Sequence, residues 1–144
     1  ILLDVEVSLP NLEPIIIKLK SKLDNYTIDA ESNTITVNDI KTHGKMLNEF
    51  EPALNHFHYF REMSMYCYLL KLCANKFYGL SNPKIESNFL VVSTIPNYYT
   101  KVVPMTPKLF NKGFKEFKYL LKLAAVTLYF KDENKALKYL NDCK

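Results

Sequence analysis

Five lysines share one face of a predicted helix and have the spacing of a phosphate-binding stripe. They recur every three or four residues, which aligns side chains along a helix. The five are Lys108, Lys112, Lys115, Lys118 and Lys122. Such a stripe fits the backbone of a nucleic acid or an anionic lipid surface. The alternative is an ordinary solvated face in a lysine-rich chain, which the presence of a single arginine, Arg61, favours.

Tyrosine and methionine side chains indicate a surface for another protein chain. Both residue types are enriched at interfaces, and contiguous exposed apolar side chains mark interaction sites. The candidate contacts lie in an apolar helical run and in a turn further along the chain: Tyr59, Met65, Tyr66, Tyr98 and Tyr99. The last two also lie beside Lys101, so base stacking is an alternative use for them.

Spacing along the chain reveals no metal-binding or catalytic motif. His56 and His58 project about 200° apart on a helix. Cys67 and Cys73 are six positions apart, a spacing that fits neither helical zinc ligands nor a zinc knuckle. The chain contains no glycine-rich nucleotide-binding motif and no serine in a nucleophile-elbow context. We therefore predict no metal, no cofactor and no catalytic residue, and an enzyme whose site assembles only in space stays an alternative.

Hydrophobic periodicity predicts the elements that carry these residues. The expected segments are a strand at 2–9, a helix at 12–24, a hairpin at 26–37, a helix at 52–78, strands within 88–103 and a helix pair over 107–142. The second segment is assigned as helix because Ile15, Ile16 and Leu19 recur at helical spacing. The predicted fold class is α+β: a small, mostly antiparallel sheet with a βαββ opening packs against helices and is followed by a C-terminal helix pair.

Two parts of the chain resemble known families. The predicted βαββ opening over 2–38 resembles the first part of a ferredoxin-like domain, such as the small metal chaperones, whose metal loop carries two cysteines. The loop here, Leu9-Pro10-Asn11-Leu12, has none, so the resemblance implies the topology without the metal. Residues 119–140 resemble one tetratricopeptide unit at Leu123-Ala124, Leu128, Asp132, Ala136 and Tyr139. That resemblance implies a helix pair in close contact at Ala124 and Ala136.

Length, charge and cysteine content limit the classes of protein to which the chain can belong. The 144 residues, 48% of them apolar, predict one compact domain over 1–144, and the strand-like start at Ile1 suggests excision from a longer protein. Residues 101–144 carry ten basic and four acidic side chains, against nine and eleven in the first hundred. Three cysteines, an odd number, predict free thiols and an intracellular location, in the cytoplasm or the nucleus. No apolar run is long enough to predict a membrane span.

The sequence favours a non-catalytic protein–protein interaction domain, a scaffold that helps to assemble a larger intracellular complex. Its partner is another protein chain, in a hetero-complex or a homo-oligomer, because the helix at 52–78 is more apolar than one buried face requires. A nucleic-acid-binding module that uses the lysine stripe is the first alternative. A small enzyme is the second, and a pocket lined by desolvated titratable groups would favour it.

Overall fold

Six strands and four α-helices lie in residues 1–143, which a computed structural model describes. In chain order they are β1 (Leu2–Val7), β2 (Ile15–Lys20), β3 (Asn25–Asp29), β4 (Thr34–His43), α1 (Phe50–His56), α2 (Tyr59–Tyr78), β5 (Lys84–Ser93), β6 (Thr100–Pro104), α3 (Pro107–Phe130) and α4 (Glu133–Asp142). A 3-10 turn at Leu47–Glu49 precedes α1. The predicted α+β class is confirmed.

The strands form two sheets. β1 and β2 pair as an antiparallel hairpin, with Val5 opposite Ile17. The second sheet has the order β3-β4-β5-β6, in which β4 and β5 are parallel and the other neighbours are antiparallel. A parallel pair needs a long crossover connection, and α1 and α2 provide it.

α2 lies across one face of the four-stranded sheet and forms the centre of the core. Alternate residues of β4 and β5 point towards it, and Ile35, Val37, Phe89 and Val91 are all buried there. Burial of such a side chain contributes about 1.5–3 kcal/mol, so this layer fixes α2 over β4. α3 packs closely against α2 at Gly113. The apolar central helix is therefore covered by the chain's own sheet and by α3.

The helix predicted at 12–24 is wrong, because this segment contains the strand β2. Ile17 is buried and Ile16 is exposed, which is the alternation of a strand. β-branched residues lose side-chain freedom in a helix and pack well on a pleated sheet, and β1 supplies the pairing partner. The chain therefore opens with two hairpins instead of a βαββ unit, and the ferredoxin-like topology is absent from residues 2–38.

The helix predicted at 52–78 is two helices. α1 ends at His56 and α2 begins at Tyr59, because His58 between them adopts a left-handed conformation with φ 53°. Gly79 ends α2 with φ 68°, a conformation that glycine adopts without strain. Within residues 1–143, no helix combines the length and the apolar character that a membrane span requires.

The C-terminal helix pair is confirmed, and capping side chains begin both helices. Thr106 accepts a hydrogen bond from a first-turn amide of α3, and Asp132 does the same for α4. The small-residue contact predicted at Ala124 lies one residue later. Ala125 is buried together with Ala136 in a second apolar cluster that joins the β1–β2 hairpin to α3 and α4, whereas Ala124 is exposed.

Candidate active site

The inner face of β4 changes from apolar to ionisable halfway along the strand. Ile35 and Val37 point into the core, and the next residues on the same face are Asp39, Lys41 and His43. Asp39 is only 3% exposed. Aspartate is almost never fully buried unless it is paired, so the partners of Asp39 define the candidate site.

Lys41 connects Asp39 to α2. Its Nζ lies 2.8 Å from Oδ2 of Asp39 and 2.9 Å from Oε2 of Glu62 in the first turn of α2. One turn later on the helix, the hydroxyl of Tyr66 donates a hydrogen bond to Oε1 of Glu62 at 2.7 Å. Lys41 Nζ also lies 4.5 Å from the centre of the Tyr59 ring, a cation–π distance. The strand and the helix thus bring two carboxylates, an ammonium group and a phenol together.

Asp24 completes the group from the segment between β2 and β3. It directly precedes β3, and its Oδ2 accepts a hydrogen bond from the N–H of Ile40 at 2.9 Å, where the β3–β4 ladder ends. The strand position that Asp24 contacts is therefore adjacent to Asp39. Below, the carboxylate–lysine cluster means Asp24, Asp39, Lys41, Glu62 and Tyr66.

Burial and charge perturb the pKa values within this cluster. Burial raises the pKa of Asp39 to about 6, and Lys41 offsets only part of that effect. Burial lowers the pKa of Lys41, but Asp39 and Glu62 outweigh it, so the pKa lies above its usual value. Burial likewise raises the pKa of Glu62, but hydrogen bonds from Tyr66 and Lys41 leave it below its usual value. The pKa of Asp39 stays raised despite the ion pair because its side chain is more deeply buried than that of Lys41, which has a second carboxylate partner in Glu62.

Two buried polar atoms of β4 have unused hydrogen-bonding capacity. Oδ2 of Asp39 has no partner besides its ion pair with Lys41, whose Nζ lies 2.8 Å away. Nε2 of His43 is also buried and finds no partner among residues 1–143. Nearly all buried polar atoms of folded proteins are hydrogen-bonded, so Oδ2 of Asp39 and Nε2 of His43, like the buried Oγ of Ser21, require an explanation such as an ordered water or a bound ion.

The donor atoms of the cluster fit a hard divalent cation. In the part of the chain that the structure describes, no three Asp, Glu, His or Cys side chains are close enough to hold a metal by themselves. Mg²⁺, however, binds through one or two protein carboxylates and completes its shell with water and substrate phosphates. In the cluster, Asp39 and Asp24 supply carboxylates of this type.

A groove of about 460 Å³ opens between β2, α2 and α3 beside the cluster. It is lined by apolar side chains from all three elements and by three polar ones, His58, Arg61 and Glu62. Oε2 of Glu116 on α3 holds the first two, at 2.9 Å from Nδ1 of His58 and 3.8 Å from the Arg61 guanidinium. Glu62 is the residue that the groove shares with the cluster, so the two are adjacent.

The residues predicted to bind a protein partner fall in two places. Tyr59, Met65 and Tyr66 lie on α2 near the cluster and the groove, where Tyr66 is buried and the other two are half-buried. Tyr98 and Tyr99 are exposed in the loop between β5 and β6. Tyr66 therefore belongs to the core, and the other four stay candidate contacts.

The lysine stripe lies exposed along α3, as its spacing predicts. Lys112 reaches Oδ1 of Asn55 at 3.1 Å and lies over the Phe60 ring. The three following lysines line a separate depression beside β1. The shared face is thus confirmed, and phosphate binding stays a prediction.

Sequence reasoning does not find Asp24, Asp39, Lys41 or Glu62 as site residues. One signal is the interruption of the apolar face of β4 by Asp39 and Lys41. Another is the spacing of Glu62 and Tyr66, which places them one turn apart on a helix. Neither signal shows that the strand and the helix bring these side chains into contact.

No protein-family model matches the chain, and a search of curated proteins finds no match. A functional assignment therefore has to be based on the chemistry of the cluster. An α+β fold does not imply a function by itself. The charges, the burial and the unpartnered atoms of the site are therefore decisive.

Proposed function

We propose that the chain is a metal-dependent hydrolase that cleaves phosphodiester bonds of nucleic acids at the carboxylate–lysine cluster. The observation that carries this proposal is the buried carboxylate of Asp39, whose Oδ2 has no partner besides its ion pair with Lys41, 2.8 Å away. A purely structural buried ion pair is stable only when its remaining lone pairs are satisfied. Desolvated, charge-coupled groups of this kind are typical of active sites.

In this hydrolysis a water molecule attacks phosphorus, one P–O bond to a sugar breaks, and the leaving oxygen takes up the proton that the water releases. Each residue of the cluster has a role in this reaction. Asp39 and Asp24 hold the cation, which supplies Lewis-acid activation of the phosphate when it is bound. Lys41 places a fixed positive charge where the phosphate oxygens gain negative charge in the transition state. Glu62 positions the Lys41 ammonium, and Tyr66 orients Glu62 through its hydroxyl.

Charge supports both the cation and a polyanionic substrate. The cluster has three carboxylates against the single ammonium of Lys41, so an anionic phosphate needs a divalent cation to approach it. The region from residue 101 onward is strongly basic, and its lysine stripe is exposed. Lysines that neutralise phosphates release counterions, which gives sequence-independent affinity for nucleic acids.

Cleavage assays with matched variants test the proposal. The chain is incubated with DNA or RNA in Mg²⁺, in Mn²⁺ or in EDTA, and the products are separated by electrophoresis. We expect cleavage with the divalent cations and none in EDTA. Asp39→Asn should lower the rate by about 100-fold or more, the usual effect of losing such a group, and Lys41→Met should also impair it.

The control is Glu86→Gln, which removes one partner of the exposed Lys84–Glu86 pair on β5, 2.6 Å apart. Like Asp39→Asn, this variant replaces a carboxylate that lies two residues from a lysine. Because the replaced carboxylate is at the surface and outside the cluster, the variant should cleave at the wild-type rate. The proposal is wrong if the divalent cations support no cleavage, or if Asp39→Asn cleaves as fast as the wild type.

Cation binding gives a second readout that does not depend on activity. A ligand at ten times its dissociation constant stabilises the native state by about 1.4 kcal/mol. We expect Mg²⁺ to raise the melting temperature of the wild type and of Glu86→Gln, but not that of Asp39→Asn. Equal shifts in all three proteins would contradict the assignment of Asp39 as a ligand.

As a second candidate function, we propose a protein–protein contact between two copies of the chain through the outer face of the four-stranded sheet. Ile40, Leu90 and Val102 lie side by side across β4, β5 and β6, and at least half of Ile40 and of Val102 is exposed. The outward residues of β4 are uncharged, so two copies meet there without charge repulsion. Tyr98 and Tyr99 are also exposed, in the loop joining β5 and β6.

Light scattering on a sizing column tests the contact. We expect a dimer that the double substitution of Ile40 and Val102 by threonine converts to a monomer, because it removes apolar area from the contact. A wild-type chain that is monomeric at every concentration would exclude this second function and leave the first one unaffected.

A further inference from the structure

Phe57 is an exposed aromatic ring on a rigid support. It is 58% exposed, and its ring stacks on Tyr59 with a centroid distance of 5.4 Å and an interplanar angle of 23°. Tyr59 stacks in turn on the buried Phe50, at 6.2 Å and 21°. Three nearly parallel rings therefore run from the core to the surface, and the outermost one stays open to solvent. His56 contacts this ring edge-to-face at 4.6 Å.

The backbone next to Phe57 adopts an unfavourable conformation. His58 has φ 53° and ψ 34°, which is uncommon for any residue other than glycine. Its Nδ1 lies 2.9 Å from Oε2 of Glu116, which fixes the turn against α3. This turn separates α1 from α2 and places Phe57 at the groove. His58 is one of seven non-glycine residues with positive φ in the described part of the chain, and its contact with Glu116 maintains this conformation.

The open ring lines the groove that adjoins the carboxylate–lysine cluster at Glu62. Phe57, Arg61 and Glu62 line the same groove. Lys41 Nζ, which faces the phosphate in the proposed function, lies 4.5 Å from the centre of the Tyr59 ring that supports Phe57. A nucleotide whose phosphate reaches Lys41 therefore has its base, or the base of its neighbour, within reach of Phe57.

We propose that Phe57 stacks on an unpaired base of the strand whose phosphate reaches Lys41, so that the substrate is a single-stranded nucleic acid or the frayed end of a duplex. This inference rests on the proposed function and specifies its substrate. In an intact duplex both faces of each internal base are covered by neighbouring bases, so only an unpaired base is free to stack on a protein ring. Every base has an aromatic face, so the platform selects unpaired strands without selecting their sequence.

Binding of fluorescein-labelled oligonucleotides tests the inference. Fluorescence anisotropy compares a short single strand with the matching duplex in Mg²⁺ with the cluster intact, and both oligonucleotides carry hydrolysis-resistant phosphorothioate linkages to prevent cleavage. Phe57→Ala should weaken single-strand binding about tenfold and duplex binding less than about twofold, because loss of one stacking contact affects only the unpaired base. Phe57→Trp keeps a stacking face and should retain the single-strand affinity.

Phe77→Ala is the matched control. Phe77 is 56% exposed near the end of α2, and its replacement should change neither affinity. Melting temperatures verify that each variant is folded. Equal losses for the single strand and the duplex, no loss for the single strand, or the same loss in Phe77→Ala would each overturn the stacking role.

The cleavage assay separates this inference from the proposed function. If Asp39→Asn abolishes cleavage while Phe57→Ala binds single strands normally, the stacking role alone is refuted. If Asp39→Asn cleaves like the wild type, the catalytic assignment and the substrate inference that rests on it both fail, whatever the binding data show. A chain that binds neither oligonucleotide also refutes both.

Discussion

Replacement of Asp39 by asparagine should stabilise the fold at pH 8 and leave it nearly unchanged at pH 4. Burial raises the pKa of Asp39 from 3.8 to about 6. Below pH 3.8 the carboxyl group is protonated in both the native and the unfolded state. As the pH rises towards 6, the unfolded chain releases its proton first, so the native state binds more protons and loses stability. Above pH 6 this loss is complete.

The magnitude follows from the pKa difference. One pKa unit corresponds to about 1.4 kcal/mol, so ionised Asp39 lowers the free energy of unfolding by about 3 kcal/mol at pH 8 relative to a neutral side chain. Asparagine has nearly the same shape and carries no charge. For a chain of this length, the melting temperature of Asp39→Asn should rise by roughly 10 °C. A variant that gains stability and loses cleavage is the expected trade-off at an active site.

Urea unfolding at pH 4 and at pH 8, without divalent cations, measures this difference. Asp29→Asn is a control of opposite sign, because the hydroxyl and the amide of Ser32 lower the pKa of this exposed carboxylate. Asp29→Asn should therefore match the wild type at low pH and be less stable at pH 8. If Asp39→Asn is less stable than the wild type at pH 8, or if the difference does not change with pH, the ion pair with Lys41 outweighs burial and the reasoning fails.

Three further predictions concern packing, thiol reactivity and charge. Gly113→Ala should lower the free energy of unfolding by about 1–3 kcal/mol through overpacking, because the added Cβ would lie 2.3 Å from the carbonyl oxygen of Phe60. If urea unfolding shows that the variant is as stable as the wild type, this packing is contradicted. Cys143 is exposed and should react with a thiol reagent in the native protein. Cys67 should react only after denaturation, because burial raises its pKa to about 11. Equal reaction rates would be inconsistent with the burial of Cys67. Lys118→Ala should weaken single-strand and duplex binding alike, and it should reduce the slope of log affinity against log salt concentration by about one, because one phosphate contact is lost. If the affinity is unchanged over a salt titration, this lysine is not part of the interface.

Local signals in the sequence are sufficient to predict where several helices and strands begin or end. Thr106 and Asp132 begin α3 and α4, and Gly79 ends α2, because capping depends on one side chain and the first or last turn beside it. The β3–β4 hairpin is local in the same sense, since its turn and its alternating residues are adjacent in the chain. The sequence also shows that the chain has the carboxylates and lysines that the candidate site needs, but it does not show which of them come into contact.

Tertiary contacts decided the rest. Ile15–Ile17 fits a helical stripe as well as a strand, and pairing with β1 selects the strand. The break at His58 depends on contacts that α2 makes with α3. Asp39 and Glu62 lie far apart in the chain, and only the packing of α2 over β4 brings both to Lys41. The raised pKa of Asp39 arises from burial by distant segments, because desolvation depends on what surrounds a side chain in space and not on its neighbours in sequence.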